Sequence, residues 1–145
     1  MTLKLVATFV DHSADTDPAI RWKGRWLEVI DITRPRLEKL AERCEPKYLI
    51  MCQAITSDIQ TAGGSGVTAL REIQMIEKGE KSIIKSEGNA WITCITPTKV
   101  WFEGLYEQSG GDALSFAQYK TAVEAYVRFL SNPEGTTIEV AFPDI

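Results

Sequence analysis

Apolar and polar positions alternate from Leu3 to Val10, and several of the residues are β-branched. That two-residue period is the mark of a half-buried strand. Asp11 to Pro18 is polar and reads as a loop. Ile20 to Ile32 carries Trp22, Trp26, Leu27, Val29, Ile30 and Ile32, and its second half predicts a second strand. Thr33 then suits a helix N-cap, with Pro35 in the first turn, where its missing N–H costs nothing. Leu37, Leu40, Ala41 and Cys44 follow at helical spacing, and Pro46 is expected to end that helix. Tyr48 to Ile55 is a short, dense apolar run. Its length favours a central strand over a helix.

The second half of the chain is punctuated more clearly. Thr61-Ala-Gly-Gly-Ser-Gly reads as a flexible connection. Val67, Leu70, Ile73 and Ile76 predict a helix that stops at Gly79, a natural C′ residue. Glu77 to Lys81 is a solvated turn, and Ile83 and Ile84 suggest a short strand. Ala90–Thr96 and Lys99–Glu107 predict two strands around Pro97, close enough to pair antiparallel. Ser115 with Gln118 three residues later spells a capping box. Phe116, Tyr119, Val123, Tyr126, Val127 and Leu130 form the apolar stripe of the helix it opens, and Asn132-Pro133 stops it. Thr136 to Phe142 is a last strand. This order predicts a single α+β domain over residues 1–145, a mostly antiparallel sheet with about three packed helices.

Composition narrows the class. A chain of 145 residues, 44% hydrophobic and 25% charged, is large enough to bury a core without staples. No apolar run approaches the ~18 residues of a membrane span. Met1 to Val10 is too short for a secretion signal and meets Asp11 at once, so it is read as strand. Cys44, Cys52 and Cys94 are odd in number and widely spaced, which gives neither a disulfide framework nor a metal knuckle. They read as small buried hydrophobes, which suits a reducing cytoplasm. From Pro97 to Ile145 there are three basic and seven acidic residues, which is the whole net charge of −4. An acidic C-terminal region disfavours nucleic acid and favours a basic partner.

Little catalytic machinery is legible. His12 is the only histidine and lies in the aspartate-rich loop, where it reads as solvated. Asp11, Asp15 and Asp17 resemble the start of a calcium loop, but the sixth position is not glycine and Trp22 stands where the bidentate Glu belongs. The 61–66 connection lies before a helix, as phosphate loops do, yet lacks both the Gly-Lys-Ser/Thr ending and GxGxxG. Arg21, Lys23, Arg25, Arg34 and Arg36 flank Trp22 and Trp26, a pattern that suits nucleic-acid stacking. With Glu28, Asp31 and Glu38 around it, the stretch reads instead as a solvated strand edge beside core tryptophans. No cofactor or metal is implied. In Lys99–Glu107 one face is Val100, Phe102, Gly104 and Tyr106 and reads as core. The other is Lys99, Trp101, Glu103, Leu105 and Glu107, an aromatic anchor among carboxylates, as recognition surfaces have.

Over the last third of the chain these pieces are Lys99-Val-Trp-Phe-Glu-Gly-Leu-Tyr-Glu, Ser115-Phe-Ala-Gln-Tyr-Lys-Thr-Ala and Arg128-Phe-Leu. They resemble bacterial toxin-immunity proteins of contact-dependent inhibition and polymorphic toxin systems. In that family a strand pair with an acid-aromatic ending precedes a Ser-capped helix ending in Phe-Leu, and then a short strand. The resemblance implies a small cytoplasmic, non-enzymatic antitoxin that binds one cognate toxin domain, in many cases a nuclease, and occludes its active site. The expected contact surface is Trp101, Glu103, Tyr106, Glu107 and Asp112. The alternative is a small nucleotide- or ligand-binding domain using Gly63, Gly64, Ser65 and Gly66 in the 61–66 loop. A third, a hydrolase built on His12 and its aspartates, has no visible partner machinery.

Overall fold

A computed structural model describes residues 2–33, 45–106, 112–133 and 136–145. Among them the architecture is α+β: three α-helices and two antiparallel sheets. In the first sheet β1 (Leu3–Asp11) is central. It pairs along its full length with β2 (Lys23–Asp31), from Leu3 opposite Asp31 to Asp11 opposite Lys23. On its other edge it pairs with β7 (Ile138–Phe142). The period of two sends Leu3, Leu5, Ala7, Leu27, Val29, Ile138 and Phe142 into the core.

The same register corrects one expectation. Because Leu27 and Val29 point inward, Trp26, opposite Thr8, must point outward. Trp26 is half-buried and Trp22 is 42% exposed, so neither is a core tryptophan. They lie against each other at 6.2 Å between ring centroids.

The second sheet runs β3 (Ile84–Glu87), β4 (Trp91–Ile95), β5 (Lys99–Gly104) and β6 (Leu114–Ser115) in order. The hairpin around Pro97 forms as expected. Thr96 closes it, its hydroxyl donating to the Lys99 carbonyl (2.7 Å) and accepting from the Lys99 N–H (3.0 Å). Its second strand stops at Gly104, short of the expected Glu107.

The run from Tyr48 to Ile55 is not a strand. It is the middle of α1 (Pro46–Asp58). Pro46 stands in the first turn of that helix; the residues of the helix expected before it, 34–44, lie outside the described residues. Tyr48, Met51, Cys52 and Ile55 recur at helical spacing and are all buried. The helix packs against β2 of one sheet and β4 and β5 of the other, so it buries apolar residues on more than one side. Seven of the eight residues of this run are apolar, all but the exposed Gln53, and so short and dense an apolar run does not by itself tell helix from strand.

α2 (Ser65–Glu77) ends as expected, with Gly79 in the left-handed region at φ +73°. Its buried face is Gly66, Ala69, Ile73 and Ile76, while Val67 is exposed. α3 (Phe116–Ser131) carries the capping box intact, with Ser115 and Gln118 bonded reciprocally at 3.0 Å each. It touches β1 and β7 on one side and β5 and β6 on the other, and α2 packs on it. Tyr119, Ala122, Val123, Tyr126 and Phe129 thereby join the two sheets into one hydrophobic core. Among the described residues no helix is long and apolar enough to cross a membrane.

Candidate functional site

The register of the second sheet sorts the hairpin residues by face. Val100 and Phe102 face the core with Trp91, Thr93 and Ile95. On the outer face Lys85, Cys94 and Trp101 stand in one row across three strands, with Glu87, Ile92 and Glu103 in the next. Lys85, Glu87, Lys99 and Glu103 are exposed and Trp101 is half-buried. The face therefore holds an aromatic among charges, as the alternation predicts.

Its electrostatics differ from the bulk charge of the C-terminal region. Lys85 Nζ stands 3.9 Å from Glu103 Oε2, and the four charges of the strands on this face balance. Tyr106, expected with the core face, is 74% exposed just beyond β5, and Asp112 is exposed just before β6. Glu107 lies outside the described residues.

Beneath Glu103, the Cys94 thiol donates to Glu103 Oε2 at 3.2 Å. Burial, and then the hydrogen bond and charge of Glu103, push that thiol up to about 11. It is a thiol, not a thiolate, at neutral pH, which removes its nucleophilicity. Iodoacetamide at about pH 8 should label Cys94 only after unfolding, read by peptide mass spectrometry. Native labelling at the unfolded rate would contradict this. The folded state holds the proton longer than the unfolded chain, so Cys94 lowers stability as pH rises from 9.0 to about 11.

The other sequence candidates are engaged structurally. Asp11, Asp15 and Asp17 each accept the N–H two residues on, at 2.9, 2.9 and 3.0 Å, so they shape the loop. Hydrogen bonds from Ser13 hold the Asp11 carboxyl below its ordinary range. The His12 ring lies 5.6 Å from that of Trp22. Arg21 donates to the carbonyls of Asp15 and Thr16, and Arg25 to that of Gln60. In the 61–66 loop several amides turn inward: Gly64 N–H donates to Thr61 Oγ1, Gly66 N–H to the Thr61 carbonyl, and those of Gln60 and Thr61 to Ser65 Oγ. A phosphate loop instead aims such donors at its ligand.

A second feature went unread in the sequence. A cleft of about 170 Å³ opens between the end of α1, one face of α2, β3–β4 and Tyr119 of α3. Asp58 forms one wall. Its Oδ1 accepts from the N–H groups of Asn89 (2.9 Å) and Ala90 (3.1 Å) and from the Ser57 hydroxyl (3.0 Å). Its Oδ2 is buried with no hydrogen-bond partner. Gly88 packs so closely on this carboxylate that a Cβ there would overlap it. Across the cleft, burial raises the Glu72 carboxyl, against a lowering hydrogen bond from Ser86. The Tyr119 phenol is held protonated far above its ordinary value, by burial first and then by the charges of Glu72 and Asp58. Among the described residues no lysine or arginine lines the cleft. The one sequence signal was the polar stripe Ser65, Thr68 and Glu72 along one face of α2.

No family model, curated protein or solved structure matches this chain.

Proposed function

We propose that this chain is an antitoxin: a cytoplasmic, non-enzymatic protein that binds a cognate bacterial toxin domain and covers its active site. The observation that carries this reading is Trp101, a large aromatic on the water side of a sheet whose other face fills the core. Half-exposed tryptophans ringed by polar groups are the typical anchors of protein interfaces. Tyr106, 74% exposed beyond the same strand, extends the aromatic character of that edge. The Ser115-capped helix and its flanking strands, which resemble those of immunity proteins, favour a toxin as the partner.

With Lys85 beside Glu103 the face is charge-balanced, so apolar contact at Trp101, rather than a strong acidic field, would supply the affinity. Co-expression with the product of the adjacent gene, where that gene encodes a toxin domain, tests the reading. Cells carrying both should grow and cells carrying the toxin alone should not. Growth arrest in both, with the chain folded and present in excess, counts against it.

A further inference from the structure

We propose that two copies of this chain associate through β7, pairing it antiparallel with β7 of the second copy and joining their three-stranded sheets into one. The backbone pattern carries this. The His12 N–H donates to the Trp22 carbonyl and the Ile32 N–H to the Thr2 carbonyl, so the even-numbered residues of β1 bond to β2. Its odd-numbered residues are left for β7, where Leu3, Leu5 and Ala7 stand opposite Phe142, Val140 and Ile138. The N–H and C=O groups of Glu139 and Ala141 therefore point away from β1, off the edge of the sheet. Among the described residues β7 has no second neighbour and no hydrogen bond reaches those groups. An open row of such groups is a template for another strand.

The strand is complementary to itself, which selects a second copy as its occupant. Setting Glu139 opposite Ala141 of the second copy, and the reverse, uses every free donor and acceptor of both residues on both strands. In that register each carboxylate faces a methyl group, so no like charges meet. Glu139 is also neutralised within its own chain by Lys4 Nζ at 3.3 Å. Val140 then meets Val140 of the second copy on the two-fold axis. It lies on the core-facing side with the buried Ile138 and Phe142, yet it is only half-buried in the single chain. Pairing covers the rest of this β-branched side chain, a favourable cross-strand contact. Pro143, with no N–H to offer, stands just past the strand and limits the pairing to these residues. The edge strand β3 differs: it has four residues, among them the exposed Lys85 and Glu87, and is short and charged as blunted edges are. β7 and Trp101 belong to different sheets, so this association and the proposed toxin-binding face can fail independently.

Sedimentation equilibrium of the intact chain tests this, and should show a dimer whose fraction rises with concentration. Amide exchange followed by NMR locates the contact. The Glu139 and Ala141 amides should exchange about tenfold or more slowly in concentrated than in dilute samples, while those of Val140 and Phe142, bonded to β1, stay protected in both. Ala141→Pro removes an edge donor without taking one from the β1 ladder, and should abolish the dimer with the circular dichroism spectrum unchanged. Ala141→Ser keeps the donor and should dimerise as the parent does. The exchange measurement needs no variant, so it decides even where Ala141→Pro does not fold. A monomer at every concentration up to about 1 mM, exchange at Glu139 and Ala141 that ignores concentration, or a dimer that persists in folded Ala141→Pro protein would each overturn the proposal.

Discussion

Replacing Gln118 with Leu should cost this protein about 2–4 kcal/mol of stability, although it exchanges a buried polar side chain for an apolar one of similar size. Gln118 is 1% exposed. Its Nε2 donates to the Tyr48 hydroxyl and to the Pro143 carbonyl, each at 2.9 Å, and its Oε1 accepts the Ser115 N–H at 3.0 Å. One amide thereby fastens the start of α3 to α1 and to the segment after β7. Leucine would fill the space but leave three partners without bonds, and unsatisfied buried groups cost about 1–3 kcal/mol each when water cannot reach them. The exposed Lys120–Glu77 pair carries no comparable penalty, because water replaces either partner. Urea unfolding reads the effect: with a slope of about 2 kcal/mol/M, the midpoint should fall by about 1–2 M. A midpoint within experimental error of the parent would show that these bonds hold nothing together.

The second large effect concerns the proposed toxin. Trp101→Ala combined with Glu103→Lys should abolish protection of toxin-expressing cells and leave the fold intact. The aromatic anchor alone is worth about 2–4 kcal/mol of binding, roughly 30- to 1000-fold in Kd. Glu103→Lys adds a second cation beside Lys85 where the parent has a pair at 3.9 Å, which turns a balanced face positive and repels a basic partner. The fold should survive because Trp101 is half-buried and Glu103 exposed, while the inward Val100 and Phe102 are untouched. Circular dichroism and a thermal melt check that condition. Full protection by the double variant would remove this face from the mechanism.

What could be read from the sequence follows the range of each interaction. The capping box at Ser115 and Gln118, the Pro97 hairpin and the Gly79 stop are set by residues within a few positions of one another, and each stands where the sequence places it. The second role of Gln118 was hidden, since Tyr48 and Pro143 reach it only through the fold. Tyr48 to Ile55 was misread because a short run apolar at all but Gln53 records burial more clearly than period. The placement of Trp22 and Trp26 was misread because the inward face of a strand depends on its pairing register.

The sequence by itself determined the α+β class, most element boundaries and the alternation that sets Trp101 outward, because these depend on local periodicity and capping. Only the tertiary structure decided that α1 is a helix between two sheets. It alone paired Lys85 with Glu103 and neutralised the acidity expected of that face. It also built the acidic cleft, bringing together Asp58, Glu72 and Tyr119 from three helices with β3 and β4. Such a site rests on contacts between distant segments, and no periodicity along the chain encodes them.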